Sequence, residues 1–224
     1  MLDVLLPQRC LVCGAAAPQL CAGCRAALPV LRPPVCERCG APTAWPVRRC
    51  NECAGRRLAF ATARAAVAYN EPVRLLVAGW KERGLRRLAD EAASLMTERL
   101  AHPGEVVLTF VPPDGDRRLK RGYHPAESLA AALAVRWSLP CEPLLARSGR
   151  SRRQRSLSLP ERRRNVAGAF RARTAAGPRV VLVDDVYTSG ATANAAAAAL
   201  RAAGARHVAV VTFARALRGY SGRQ

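Results

Sequence analysis

Two adjacent carboxylates and a run of hydroxyl residues stand together in the stretch VVLVDDVYTSGAT. Asp184 and Asp185 follow an apolar segment typical of a buried strand, and small and hydroxyl residues then lead into an alanine-rich helix. The start of a helix offers unpaired backbone N–H groups and the positive end of a dipole, which together bind phosphate. An ordinary helix cap needs one such residue. The second aspartate and the repeated hydroxyls therefore indicate a ligand site.

The charges of this stretch favour a ligand that has an anionic group at one end and hydroxyl groups at the other. The phosphate of a ribose 5-phosphate would take the helix start, and the two carboxylates would accept hydrogen bonds from the ribose hydroxyls. Carboxylates also attract Mg²⁺ bound to a second anionic group of the sugar. The phosphate end of the predicted site is the loop Thr188, Ser189, Gly190, Ala191 and Thr192.

Eight of the nine cysteines form four C-x2-C pairs near the amino end. The opening residues MLDVLLPQRC do not resemble a secretory leader, so we expect a cytoplasmic protein whose paired cysteines bind metal rather than form disulfides. Eight thiolates make two tetrahedral zinc sites, and because sulfur fills every position both ions should be structural. Sequential pairing assigns Cys10, Cys13, Cys21 and Cys24 to one ion and Cys36, Cys39, Cys50 and Cys53 to the other.

A crossed arrangement, with the first pair joining the third and the second joining the fourth, is the alternative that the spacing leaves open. The ninth cysteine, Cys141, stands alone and is predicted to be a buried structural thiol.

The positive charge of the chain is concentrated in one segment. The formal net charge is +20, and between Arg147 and Arg173 ten arginines face the single acid Glu161. This concentration predicts an anionic partner, with single-stranded DNA as a candidate, whereas the alternative is a solvated loop. No apolar run of about 18 residues occurs, so we expect no membrane insertion.

The remaining patterns predict the elements that position these residues. Residues 1–57 carry the cysteine pairs with many prolines and glycines, so metal must supply folding free energy there. Residues 58–224 alternate strand and helix patterns, which predicts an α/β domain with a mostly parallel sheet and helices on both faces. The expected strands are 61–69, 105–111, 179–183 and 207–214, and the expected helices are 71–84, 85–100, 125–137 and 192–204.

The stretch VVLVDDVYTSGAT is similar to the signature of the type I phosphoribosyltransferases, which bind 5-phosphoribosyl-1-pyrophosphate (PRPP) with this loop. The chain as a whole resembles the ComF family, which is linked to DNA uptake in natural competence. The resemblance rests on the cysteine pairs, LLVAGWKERG, VPPDGDRRLKRGYHPAESLA, LARSGRSRRQRSLSLPERRRNVAGAF and the PRPP loop, in that order. It implies a type I phosphoribosyltransferase fold preceded by a double zinc ribbon.

The resemblance also implies roles for individual residues. Asp184 and Asp185 would hold the ribose hydroxyls and act in catalysis with Mg²⁺ nearby, and pyrophosphate would lie near Val111 and Pro112. The segment 147–165 would stand where the mobile loop covers PRPP. The implied PRPP-binding residues are Asp184, Asp185, Tyr187, Thr188, Ser189, Gly190, Ala191, Thr192, Lys120 and Arg121.

Two departures from the family pattern bear on function. The family motif RGFNQ is RGYHP here, so two amide side chains are missing. Where relatives acting on 6-oxopurines carry an acid, this chain has Thr188, which argues against a hypoxanthine- or guanine-type acceptor. The resemblance implies transfer of ribose 5-phosphate to an unidentified acceptor with release of pyrophosphate. The alternative is a non-catalytic protein that binds single-stranded DNA through the zinc ribbons and the basic surface.

Overall fold

The structure is a computed structural model that describes residues 8–113, 123–148 and 168–217. Within these residues the elements are α1 (Ala22–Ala26), β1 (Thr62–Ala68), α2 (Glu71–Glu82), α3 (Arg87–Arg99), β2 (Val107–Phe110), α4 (Pro125–Trp137), β3 (Leu145–Arg147), β4 (Phe170–Ala172), β5 (Arg179–Tyr187), α5 (Ala191–Ala202) and β6 (His207–Arg215). None of the described helices is both long enough and apolar enough to cross a bilayer.

A four-stranded sheet in the order β1-β6-β5-β2 forms the centre of the molecule, and all its strand pairs are parallel. Its strands are runs of buried valine, leucine and alanine, as expected where both faces of a parallel sheet are covered. Helices α2, α3 and α4 pack on one face around Trp80 and Met96. Helix α5 packs on the other face around Leu182 and Leu200. The predicted α/β architecture is confirmed.

The carboxyl part of β5 differs from the prediction. The strand was expected to end at Val183, but it continues to Tyr187, so Asp184 and Asp185 lie within it. Parallel pairing to β6 explains the extension, because Asp184 pairs with Thr212 and Val186 with Ala214 beyond the apolar run. An apolar pattern reports burial, whereas the strand ends where backbone pairing ends.

Two short strands were not predicted. β3 and β4 have three residues each and form an antiparallel hairpin. Segments this short carry no readable alternation of apolar and polar residues. The hairpin flanks the arginine-rich segment, of which residues 149–167 lie outside the described part of the chain.

Cys141 lies just beyond β2 on the edge of the sheet. It forms an isolated parallel bridge with Leu108, whose N–H donates to the Pro140 carbonyl at 2.9 Å. Its side chain packs beside the first core but is only half-buried, so the predicted burial is partly wrong. An edge position explains this, because one side of an edge segment has no neighbouring strand to cover it.

The cysteine-rich region covers the other edge of the sheet. The N–H of Leu31 donates to the Ala66 carbonyl at 3.1 Å, and the N–H of Ala68 donates to the Pro29 carbonyl at 2.7 Å. An exposed strand edge is a template for unwanted pairing, so this cover protects β1.

Two arginines connect the cysteine-rich region to the α/β domain. Arg25, close to the first cysteine group, places its guanidinium 2.5 Å from the Glu98 carboxylate on α3. Arg215, at the end of β6, is 2% exposed and donates to the Cys39 carbonyl at 2.6 Å and to the Glu52 carboxylate at 2.8 Å. These contacts make the two regions one packed unit.

Candidate functional site

The cysteines form two groups, each of four sulfurs within 4.8 Å of one another. The Sγ–Sγ distance is 3.8 Å between Cys13 and Cys21 and 3.7 Å between Cys36 and Cys53. A tetrahedral zinc ion with Zn–S bonds of about 2.3 Å holds its sulfurs about 3.8 Å apart, so each group fits one ion. The groups are Cys10, Cys13, Cys21, Cys24 and Cys36, Cys39, Cys50, Cys53, which confirms sequential pairing and excludes the crossed alternative.

Backbone donors prepare one thiol in each group to bind metal. Burial alone would raise the pKa of Cys10, but backbone N–H groups, including that of Cys21 at 3.4 Å, outweigh it and bring the pKa to about 6. In the second group the N–H of Cys50 lies 3.3 Å from the Cys36 sulfur, and the pKa of Cys36 falls to about 7 in the same way. Each group thus contains a thiol that ionises near neutral pH, the form that binds zinc.

The two aspartates line a cavity of about 290 Å³ at the carboxyl ends of β2 and β5. Open parallel sheets bind their ligands at this edge. Asp184 is half-buried and its carboxylate accepts the Asp185 backbone N–H at 2.9 Å. Burial, and next the neighbouring charge of Asp185, raise the pKa of Asp184 to about 7. Near neutral pH this carboxyl group therefore binds either a proton or a partner that carries positive charge or donates a hydrogen bond.

Two cations share the cavity with the aspartates. The Lys81 Nζ, in the last turn of α2, lies 2.6 Å from the Asp185 carboxylate and forms an ion pair with it. Arg147, at the end of β3, donates from Nε to the Pro112 carbonyl at 3.2 Å, and its guanidinium stacks 5.0 Å from the Phe170 ring centre. The cavity thus offers both carboxylate acceptors and cationic donors within one enclosure.

The start of α4 forms another wall of the cavity, at Tyr123 and His124. His124 is the N-cap of the helix, and its Nδ1 accepts the Glu127 N–H at 3.3 Å. The imidazole also packs against Phe110, with ring centres 5.8 Å apart. In the motif RGYHP the histidine therefore caps a helix beside the cavity.

The loop after β5 makes a tight turn that depends on a glycine. Gly190 is the N-cap of α5 and has a φ of +70°, in the left-handed region that favours glycine. A Cβ there would lie 2.2 Å from the Tyr187 hydroxyl oxygen, so no other residue fits without displacing that ring. A glycine N-cap has no side chain to accept the N–H groups of the first turn. The helix start is therefore suited to an external acceptor.

Apart from Tyr187, the predicted site residues fall into three sets. The cavity is lined by Asp184, Asp185, Thr188 and Thr192, with Val111 and Pro112 beside them. Ser189, Gly190 and Ala191 form the turn between the two threonines, where the Ser189 hydroxyl accepts the Ala191 N–H at 3.3 Å. Lys120 and Arg121 lie outside the described residues.

Tyr187 contributes to the turn from the protein interior. Its ring is 4% exposed, meets Phe60 edge-on at 6.3 Å and lies under the Arg215 guanidinium at 4.5 Å. The Tyr187 side chain fixes the shape of the loop by filling the space beside Gly190. Its role as a PRPP ligand stays a prediction.

Lys81 was missed as a site residue, although the sequence contains a signal for it. The chain has 36 basic lysine or arginine residues, and only Lys81 and Lys120 are lysine. Lysine is rare in this chain, and its ammonium group is a compact point charge that a planar guanidinium does not replace, so each of the two lysines is a candidate site residue.

Comparison with known families assigns both parts of the chain. The double zinc ribbon domain family matches residues 1–54, and the phosphoribosyl transferase domain family matches residues 84–223. The four-cysteine groups are thus zinc-binding sites, and the parallel sheet belongs to a phosphoribosyltransferase-like fold.

Two relatives match along most of their length. Competence protein F of Haemophilus influenzae is 30% identical over 211 residues, which cover 88% of this chain and 90% of the relative. DNA utilization protein YhgH of Salmonella typhimurium is 30% identical over 196 residues, covering 82% and 85%. Among solved structures, the glutamine PRPP amidotransferase of B. subtilis matches 57% of this chain and 25% of its own chain, with 26% sequence identity and a TM-score of 0.38. On the family matches and the Haemophilus relative, the chain belongs to the ComF family, and in this chain a double zinc ribbon is joined to a phosphoribosyltransferase domain.

Proposed function

We propose that this protein binds PRPP with Mg²⁺ in the cavity at the carboxyl edge of the sheet. The observation that supports the proposal most directly is the placement of Asp184 and Asp185 in one cavity with Thr188 and Thr192 at the start of α5. The 5-phosphate binds at the helix start, and the ribose hydroxyls donate to the two carboxylates.

The cations of the cavity serve the pyrophosphate end of the ligand. Arg147 and Lys81 line the same enclosure as Val111 and Pro112, where the resemblance to the family places pyrophosphate. A guanidinium binds phosphate oxygens through a planar fork, and an ammonium acts as a point charge. Lys120 and Arg121 are proposed to add to this positive field.

The two carboxylates also fit a divalent cation. Asp184 and Asp185 are adjacent, and the raised pKa of Asp184 marks a carboxyl group that Lys81 alone does not neutralise. Carboxylates and the oxygens of a phosphate ester are the ligands that Mg²⁺ prefers. When bound, Mg²⁺ neutralises charge on the pyrophosphate leaving group.

We further propose transfer of the ribose 5-phosphate group to a nucleophilic acceptor, with cleavage of the bond from the anomeric carbon to pyrophosphate. The carboxylates of Asp184 and Asp185 would stabilise the positive charge that develops on the ribose in an oxocarbenium-like transition state. Thr188 offers no carboxylate to an incoming base, so the acceptor is not expected to be a 6-oxopurine. We propose a cytoplasmic setting. We also propose a biological role in DNA uptake, since one relative is named a competence protein.

Calorimetric titration of PRPP and Mg²⁺ into the zinc-loaded protein tests the binding. We expect saturable binding that disappears in the variant Asp184→Asn/Asp185→Asn, because neutral amides lose the charge that attracts the cation. Asp90→Asn, an exposed carboxylate on α3, is the matched control and should bind as the parent does. An absence of heat with folded parent protein would refute the PRPP assignment.

A second candidate function is supported by the charge distribution and by relatives named for competence and DNA utilization. It is binding of single-stranded DNA, without catalysis, through the zinc ribbons and the segment 147–173, of which residues 149–167 lie outside the described part. Such binding should weaken steeply as salt rises, because released counterions drive it. Affinity for an oligonucleotide that stays constant between 50 and 200 mM salt would exclude this mode, as the expected loss is many-fold.

A further inference from the structure

A second cleft lies at the opposite edge of the sheet, where the strands begin. It has a volume of about 390 Å³ and is bounded by the segment 31–35, by the residues that follow α3 and by the first residues of β1, β5 and β6. This volume falls in the range of about 300–1,000 Å³ that small-molecule sites occupy. The cleft is separate from the cavity at the aspartates.

The floor of the cleft is apolar. Val181 pairs with Ala209 across β5 and β6, and Ala209 pairs in turn with Thr62 of β1. One step further along the same face, Val211 pairs with Arg64. Alternate residues of a strand point to one face, so the half-buried Ala209 lies on this face between the buried Val181 and Val211. Leu31, Val35 and Val106 extend it, which gives an apolar body a place to lie.

The rim of the cleft is positively charged. Arg64, Arg99 and Arg179 contribute guanidinium groups, and the described residues that line the cleft include no carboxylate. Arg64 is half-buried and donates from one nitrogen to the carbonyls of Ala63 at 2.8 Å and Glu37 at 2.9 Å. Among the described residues none of the three arginines forms a salt bridge. The charges of the exposed Arg99 and Arg179 are therefore available to an external anion, and Arg64 adds its charge from a guanidinium that backbone carbonyls, including that of Cys36 at 3.4 Å, hold in place.

The two histidines of the cleft have different roles. His102 uses both ring nitrogens within the protein, since Nδ1 accepts the Gly104 N–H at 3.1 Å and Nε2 lies 3.0 Å from the Trp137 carbonyl. It therefore fixes the wall that follows α3. His207 is exposed at the start of β6, directly across from Arg179, and adds a further donor at the rim.

We propose that this cleft binds a small aromatic anion of mononucleotide size. The flat base lies on the valine and alanine floor, and the phosphate lies at the rim among Arg64, Arg99 and Arg179. Guanidinium groups bind phosphate through paired hydrogen bonds and also stack on aromatic planes, so both parts of such a ligand are recognised. With no lining carboxylate to repel the phosphate, the charges of site and ligand are complementary.

This site is independent of the proposed PRPP cavity. Arg179 and Asp184 are five residues apart on β5, which at about 3.3 Å per residue separates them by about 17 Å. The two ligands can therefore be bound at once. The cleft also contacts the segment 31–35, so its occupant touches the cysteine-rich region and the sheet together.

Calorimetry with 2′-deoxyadenosine 5′-monophosphate tests the proposal on the full zinc-loaded chain. We expect saturable binding, and affinity at least tenfold lower for deoxyadenosine and for inorganic phosphate, because each lacks half of the recognised features. The variant Arg99→Ser/Arg179→Ser should weaken nucleotide binding at least tenfold. Both arginines are exposed, so the variant should fold.

Two further variants locate the binding. Arg83→Ser/Arg87→Ser removes the same charge from two exposed arginines away from the cleft and should bind as the parent does. Asp184→Asn/Asp185→Asn should also leave nucleotide binding unchanged. The proposal is overturned by no saturable binding, by binding that survives the rim substitutions, by equal binding of phosphate alone, or by binding lost in the aspartate variant.

Discussion

Asp184 is the residue of the cavity through which pH should act on PRPP binding. Its pKa stands at about 7 instead of the ordinary 3.8, because of burial and of the adjacent Asp185 charge. Below pH 7 the group is protonated and accepts fewer hydrogen bonds from ribose hydroxyls. We predict that PRPP affinity falls as pH drops from 8 to 6, by up to about tenfold per unit. Calorimetry across this range measures it, and Asp184→Asn should retain only the pH dependence of the ligand itself.

The raised pKa of Asp184 also affects the stability of the ligand-free protein. Stability should fall as pH rises, whereas PRPP affinity should rise. Because the pKa of Asp184 is raised in the folded protein, its carboxyl group keeps a proton at pH values where the same group in the unfolded chain has lost it. The stabilising contribution of Asp184 is therefore complete below about pH 4 and is lost as pH rises toward 7. Urea midpoints of the ligand-free protein should include this loss, and at pH 4 the parent should exceed the variant Asp184→Asn by more than it does at pH 8.

Gly190 should be more sensitive to substitution than Gly168, a glycine with a similar positive φ. Gly190→Ala suffers backbone strain of about 1–2 kcal/mol and a collision with the Tyr187 ring. Gly168 has a φ of +75° with nothing within 4 Å of the position that a methyl group would take, so Gly168→Ala isolates the backbone strain. We predict a larger loss of thermal stability for Gly190→Ala, together with loss of PRPP binding. Equal losses in the two variants would contradict the role given to the Tyr187 contact.

At the scale of elements, β6 is joined to the second zinc group through Arg215. Removing a buried guanidinium that makes hydrogen bonds to a charged partner should cost about 2–4 kcal/mol. We predict this loss for Arg215→Gln, with weaker zinc retention at the second site, measured by urea unfolding and by metal release to a chromophoric chelator. Arg74→Gln breaks an exposed ion pair with Glu71 and should leave the unfolding midpoint unchanged.

Sequence patterns predict the long helices and strands well. They predict poorly the short strands and the strand ends that depend on pairing with a distant segment. The spacing of Leu88, Leu95 and Met96 predicts the buried side of α3, and all three are buried. The hairpin β3–β4 and the last four residues of β5 depend on backbone pairing between distant segments, which local periodicity does not report. Element type therefore follows from local pattern, whereas element length follows from tertiary pairing.

In the candidate site, too, the sequence predicts features formed by neighbouring residues and misses those formed by distant ones. The carboxylates, the loop and the cysteine ligands could be read from contiguous residues, because each motif is local in sequence. The Lys81–Asp185 ion pair joins α2 to β5 across 104 positions of the sequence. The second cleft, at the edge where the strands begin, is formed by the starts of β1, β5 and β6 and by the end of α3. Only the order of strands in the sheet brings these residues together.

At the scale of the whole molecule, the zinc ions should behave as parts of the fold. We predict two zinc ions per chain by native mass spectrometry, and still two after Cys141→Ser, because Cys141 lies outside both groups. Cys36→Ser/Cys39→Ser should retain one ion. Since the second group holds Arg215, this variant should also increase hydrogen exchange in β6. Loss of both ions from the double variant would mean that the two metal sites form a single cooperative unit.

The strand order has a consequence for synthesis of the chain on the ribosome. β1 is made early, but its neighbour in the sheet is β6, the last of the strands that the structure describes. At about 5–20 residues per second, the 138 residues between Ala68 and His207 take roughly 7–28 s to appear, and during that time β1 cannot pair on its inner side. The segment 29–31 is already present and can cover the outer side. The amino-terminal region is thus placed to shield a nascent strand until its partner emerges.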